Sequence, residues 1–315
     1  MRARADVAAH RAEASRLGRA AGDLVGNPAD LVISLRDGLV QLEDAAYREE
    51  LERVAPGIGR VAAVRQPLLR VTADALLRAM RQDRSSTVLD VAQHLLRADL
   101  LELHWIGFRL LERAIRENPE RTWQLARAAA RGADNWITVD ALAHVAARGI
   151  LIEPYRWAEL EQLVYSPSRW ERRLVGSTVA TIPATDAVLG RSPDVARHGL
   201  ALVRDLIGDA EPDVQKALSW ALRTLTAVDE APTVAFLRAE ATAAARDDDG
   251  HRAWVIRDTL EKLSPAVAEE LRSTLGTVRR RADAPSTSRA AETAAAFVGL
   301  GVTVPPAERP IVERP

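Results

Sequence analysis

Cysteine is absent from this chain of 315 residues. Disulfides, thiolate zinc sites and cysteine nucleophiles are excluded with it. The six histidines are scattered, with no HExxH and no close pair, so neither a metal site nor a cofactor is expected. No Walker loop and no GxGxxG is present, which removes the common phosphate-cradling folds. Ser177-Thr178 and Ser286-Thr287-Ser288 come with neither a base nor a nucleophile elbow, so a serine hydrolase has no support. Lysine is nearly missing, occurring only at 216 and 262, and the positive charge is carried by arginine. No apolar run is long enough to span a bilayer. The stretch from Met1 to Arg19 is studded with Arg and Glu where a secretory signal would be apolar, so a soluble cytoplasmic protein is expected. There is no excess of either charge: the net value is −1. A nucleic-acid ligand would therefore require the cations to be gathered on one surface, since such affinity comes from phosphate neutralisation.

Strand-like alternation is also lacking. What is present is apolar residues at a period of 3.6, rich in Ala and Leu, over most of the chain. Helices are expected over 28–54, 62–82, 99–117, 135–147, 167–181, 211–226, 249–263 and 265–281, among others. They are punctuated by Asn27-Pro28, Asn118-Pro119, Ser166-Pro167 and Ser264-Pro265, each a capping residue followed by proline in the first helical turn. Two such helices with their turns occupy roughly 35–45 residues, the length of a HEAT-type repeat. The expected fold is all-α, a HEAT-like α-solenoid of stacked antiparallel helix pairs offering a concave face. The organisation reads as an N-terminal helical extension (1–27), one repeat domain (28–281) and a low-complexity tail (282–315) expected to pack loosely or stay mobile.

Aromatics make up only 4% of the chain, yet seven of them are tryptophan, and three tryptophans sit beside charge. In Asp134-Asn135-Trp136-Ile137-Thr138-Val139-Asp140, the indole and the second acid are four residues apart and share a helix face. Asp134 or Asn135 is placed to cap that helix. Asp140 then lies in an apolar stretch running to Ala147, where a carboxylate is either paired or functional. In Trp170-Glu171-Arg172-Arg173 the two guanidinia point about 100° apart. One can face a groove, where phosphate suits its planar fork, while the other faces solvent or an acid. In Gln215-Lys216-Ala217-Leu218-Ser219-Trp220-Ala221-Leu222-Arg223, Lys216 and Trp220 repeat the four-residue spacing, and Arg223 adds a further cation. Taken singly, each is also compatible with a packed tryptophan and solvated charges. Trp105, Phe108, Trp123, Trp157 and Trp254 are assigned to packing.

In this order the three segments resemble the AlkD-type DNA alkylation repair family of HEAT-like glycosylases. The resemblance is best over about 99–226 and extends faintly upstream to Ala63–Arg70. Pro56-Gly57-Ile58-Gly59-Arg60 stands where that family usually has an aromatic-Gly signature. The resemblance implies an enzyme without cofactor or metal, acting on double-stranded DNA that contains alkylated bases. It would excise cationic N3- or N7-alkylpurines without flipping them, most simply as a monomer. It implies Asp140 as the catalytic carboxylate, Trp136 and Trp220 flanking the modified nucleotide, and Arg173 on the backbone beside it. Arg172, Lys216 and Arg223 would supply further backbone contacts. Two other readings remain open: a non-catalytic DNA-structure binder on the same architecture, and a helical-repeat scaffold gripping a protein.

Overall fold

A computed structural model describes residues 2–186, 194–281 and 283–299. Among these residues the regular structure is helical throughout, with no strand. No helix is long and apolar enough to cross a membrane. Contacts divide the chain into two units, the first running to Val145 and the second beginning at Ala146. The sequence carries no mark of this division, because one continuous helix runs through it.

The first unit contains α1 (Arg2–Gly22), α2 (Pro28–Val40), α3 (Ala45–Val54), α4 (Gln66–Ala79), α5 (Ser85–Arg97), α6 (Leu101–Ala114), α7 (Pro119–Gly132) and the start of α8 (Trp136–Ile152). The N-terminal extension is not loose. α1 lies along α4, and a Cβ on Gly18 would come within 2.2 Å of the Thr72 carbonyl oxygen. Glycine there lets the two backbones approach and seals Ala14 and Ala21 from water.

The single helix expected over 28–54 is two. Asp44 ends the run by capping α3, accepting from the Tyr47 amide at 3.0 Å. Its carboxylate also accepts from Arg65 Nε at 2.6 Å. That hydrogen bond holds the Asp44 carboxyl below its ordinary range, helped by the Tyr47 amide and the Arg65 charge and opposed by burial.

The helix expected from 62 starts at Gln66, with Pro67 in its first turn. Residues ahead of it are held in a non-helical path by Glu102, a fully buried acid on α6. Its carboxylate accepts from the amides of Ala62 at 2.9 Å and Val64 at 3.3 Å. Those two buried donors would otherwise be orphaned.

The second unit contains α9 (Arg156–Gln162), α10 (Arg169–Asp186), α11 (Asp194–Leu206), α12 (Pro212–Val228), α13 (Glu230–Arg246), α14 (Gly250–Thr259), α15 (Pro265–Leu275) and α16 (Arg289–Gly299). α10 packs on α12 and α12 on α14, while α11 packs on α13 and α13 on α15. Matching side chains show that α12 and α14 run parallel: Gln215 meets His251 near their starts, and Arg223 meets Asp258 further along. α10 and α12 are drawn together at Gly176, where a Cβ would lie 2.8 Å from the Ala217 carbonyl carbon.

The tail expected from 282 is, over 283–299, a strap followed by a helix. Thr287 donates its amide to the Gly208 carbonyl at 2.9 Å and its hydroxyl to Asp249 at 2.5 Å. Ser288 caps α16 by accepting from the Ala291 amide, and α16 packs on α11. The Ser and Ala residues that read as low complexity are small enough to pack closely and to satisfy backbone groups.

Candidate nucleic-acid interface

In the first unit the site rests on α8. Asn135 caps it, accepting from the Thr138 amide at 2.9 Å and donating its side-chain amide to Asp134 at 2.7 Å. With its first turn satisfied in this way, α8 begins at Trp136. Ile137, Val139, Leu142, Ala143 and Val145 are buried. Trp136 and Asp140, one turn apart on the remaining face, are both half-buried. An acid in so apolar a helix keeps its charge only while part of it reaches water or a partner. An indole beside it presents a flat apolar face with a negative quadrupole. A cationic planar group and a carboxylate-stabilised charge next to it both suit that pairing.

In the second unit the expected contact residues fall into two sets. Arg172 is committed to its own fold. It grips Asp209 with Nε at 2.7 Å and donates to the Ser166 and Pro167 carbonyls at 2.8 and 3.1 Å. Asp209 is itself buried, so the ion pair is shielded from solvent. Arg173 is 5% exposed and donates to the Asp213 carbonyl at 2.7 Å, with the Asp213 carboxylate 3.9 Å away. Of the two adjacent guanidinia, neither lies open in a groove: both tie α10 to the segment that starts α12. Arg223 is similarly engaged, by the Asp258 carboxylate at 2.6 Å and the Asp258 carbonyl at 2.8 Å, with Glu261 3.7 Å away. Lys216 differs. It is exposed on the second turn of α12 and forms no ion pair with any described residue. Trp220, one turn on, is half-buried on the same face.

The remaining tryptophans divide unevenly. Trp105 and Trp123 are buried, as is Phe108. Trp157 instead stacks on His198 with ring centroids 4.9 Å apart, Arg169 sits 4.6 Å over Trp170, and Arg280 lies 5.4 Å over Trp254. Burial and the neighbouring Arg197 charge push the His198 imidazole below its ordinary value. The last three contacts draw on partners remote in sequence or on a fold-dependent rotamer, and helical periodicity carries no signal for them.

Gln215 is the residue whose importance the sequence motif understated. Its amide donates to the Asp209 carbonyl at 2.6 Å, lies 3.0 Å from His251 Nδ1, and accepts from Arg280 at 2.8 Å. His251 Nε2 lies 3.0 Å from the Ala284 carbonyl. With the proton on Nε2 donated to that carbonyl, Nδ1 accepts from the Gln215 amide. The start of α12, the start of α14 and the C-terminal strap are thus joined through one buried amide.

The molecule these features define is an all-helical protein with indole-and-charge faces on α8 and α12. The family described as DNA alkylation repair enzyme matches residues 35–263, well over half the chain, and the chain belongs to that family. The match takes in α8, α10 and α12 and leaves α1 and everything after Leu263 outside. No curated protein matches the chain, and no solved structure does. Membership makes this a protein of DNA repair, in an enzyme family whose substrate is DNA.

Proposed function

We propose that this chain is a glycosylase that hydrolyses the N-glycosidic bond of cationic N3- or N7-alkylated purines in duplex DNA, leaving the lesion in the stack. It acts as a monomer without cofactor or metal, on a HEAT-like stack of antiparallel helix pairs. The two rows α10–α12–α14 and α11–α13–α15 support that architecture. In such a lesion the base already bears positive charge. Cleavage sends the bond's electrons to the purine, neutralising it, and leaves an oxocarbenium-like sugar. Water adds to the sugar carbon and sheds a proton. A fixed carboxylate beside that carbon stabilises the developing charge or orients the water, and this is the role proposed for Asp140. Trp136, one turn away, offers its indole face to the charged nucleotide. Trp220 with Lys216 forms the corresponding face on α12, one ring against sugar or base and one ammonium on phosphate. Arg172, Arg173 and Arg223 are given a different part from the one their motif implies: they brace the helices that carry these groups.

The observation that carries this reading is the place of Asp140, a half-exposed acid in a largely apolar helix one turn beyond a half-exposed indole, within the family match. The test is release of 7-methylguanine or 3-methyladenine from methylated duplex by the parent chain and by Asp140→Asn. The parent should release base, and the variant should bind duplex but release none. Unchanged release by the variant would remove Asp140 from the mechanism. A second reading, a DNA-structure binder without catalysis, is favoured by the engagement of Arg172, Arg173 and Arg223 with internal acids. Duplex binding by the parent with no base release would select it.

A further inference from the structure

Beyond the family match, the chain turns at Gly276 and runs back across α14. Arg257, on α14, donates to the Val278 carbonyl at 2.6 Å and to the Gly276 carbonyl at 3.1 Å. Arg279 donates to the same two oxygens, at 2.9 and 3.1 Å. Two guanidinia therefore converge on one pair of carbonyls, and no described carboxylate pairs with either. Arg280 follows, exposed, its guanidinium anchored on Gln215 Oε1 and laid over the Trp254 ring. The acids near them are otherwise engaged: Asp258 by Arg223 and Ser219, and Asp248 by Arg281. Asp283 pairs with none of the three. Burial, and then the like charge of Arg279, pull the Arg257 guanidinium below its ordinary value, as expected for cations held together without an anion.

We infer that Arg257, Arg279 and Arg280 form a phosphate-binding tripod that grips the backbone of duplex DNA, extending from α12 to the C-terminal strap the face begun by Lys216 and Trp220. Two guanidinia converging on one pair of carbonyls, with a third next to them in the chain and no described carboxylate paired to any of the three, suit a phosphodiester, whose oxygens match the guanidinium fork. Arg280 ties the strap to Gln215 on α12, the helix that carries Lys216 and Trp220. Arg279 and Arg280 lie after the residues that the family matches. The inference rests on the duplex-DNA reading above.

The experiment is a salt titration of duplex affinity by fluorescence anisotropy, using the full chain and unmethylated duplex. Its arms are the parent, Arg279→Ala/Arg280→Ala, Arg279→Glu alone and Arg281→Ala, with thermal melts of each. Because Arg280 also holds Gln215, the single Arg279→Glu variant keeps the test decisive if the double variant melts early. The double variant should bind on the order of tenfold more weakly. Its salt slope should fall by about 2, one unit for each phosphate that is no longer neutralised. Arg281→Ala should change affinity less than about twofold, its charge being already paired in solvent. Parent-like affinity and slope in folded Arg279→Glu would overturn the tripod, as would a loss in Arg281→Ala equal to that of the double variant. Inorganic phosphate should compete only weakly; abolition of duplex binding at low millimolar phosphate would instead assign the site to a free anion. A parent chain that binds no duplex at all would strike the DNA reading itself rather than the tripod.

Discussion

The α8 segment of the first unit and the α10–α12 segment of the second place charge in apolar helices in opposite ways. α8 carries Asp140 half-exposed beside an indole, in a largely apolar stretch from Ile137 to Val145. α10 and the start of α12 carry Arg172, Arg173, Asp209 and Asp213, and these cations and acids are drawn into one another. A charge that keeps part of its surface near solvent can still be reached by a ligand, whatever else it touches. A charge committed to a buried partner is available to the fold, because removing the partner strands its mate in a poorly solvating interior. The same residue types, read as equivalents in the sequence, thus serve different ends. Exposure, more than motif membership, separates the two sets.

Four substitutions would break or sharpen this contrast. The largest effect is expected for Asp140→Asn, which should lower the rate of base release by about 10²–10³-fold or more while duplex affinity, measured alongside, stays within about twofold. Next is Arg172→Ala. It leaves the Asp209 carboxylate buried without its partner and should cost about 3 kcal/mol of unfolding free energy in urea. If it weakened DNA binding in a chain of parental stability, Arg172 would belong with the ligand-facing set and the contrast would fail. Lys216→Ala should do the reverse: stability within about 0.5 kcal/mol of the parent, with duplex affinity down roughly threefold to tenfold and a salt slope smaller by about 1.

The smallest effect concerns Asp44, the cap of α3. Its folded carboxyl is held below its ordinary range by Arg65. The stabilisation is therefore fully present above the ordinary carboxylate value of about 4 and is lost as pH falls through the lower folded value. Asp44→Ala should cost about 1 kcal/mol at neutral pH through loss of the cap. The gap between parent and variant should narrow below about pH 4 in thermal melts; a gap constant down to strongly acidic pH would show that the ion pair contributes nothing beyond the cap.

Much of the local structure is legible in the sequence because its causes are local. The 3.6 period marks the helices, and Asp134 or Asn135 is placed to cap α8, a role that Asn135 takes. Asn27 and Ser264 do cap helices in which proline follows at once, accepting from the Asp30 and Val267 amides. Trp136 with Asp140, and Lys216 with Trp220, share faces because a helix turns about 100° per residue. Three departures from expectation have longer-range causes. The helix expected over 28–54 breaks because Asp44 has both an amide and a guanidinium to hold. The helix expected from 62 waits until Gln66 because Glu102 holds the preceding amides in a non-helical path. The tail is ordered over 283–299 because Gly208, Asp249 and His251 meet it.

By itself, then, the amino-acid sequence determined an all-helical chain, the spacing of its indole and charged residues, and its kinship with DNA alkylation repair enzymes. Those properties depend on interactions within a few residues and on the order of motifs. Only the tertiary structure decided that Arg172, Arg173 and Arg223 hold internal acids and carbonyls, that Lys216 is exposed, and that Arg257 and Arg279 share one pair of carbonyls. The arginine contacts turn on partners some twenty to sixty-five residues away, and the solvation of a charge is set by what packs around it rather than by what precedes it in the chain.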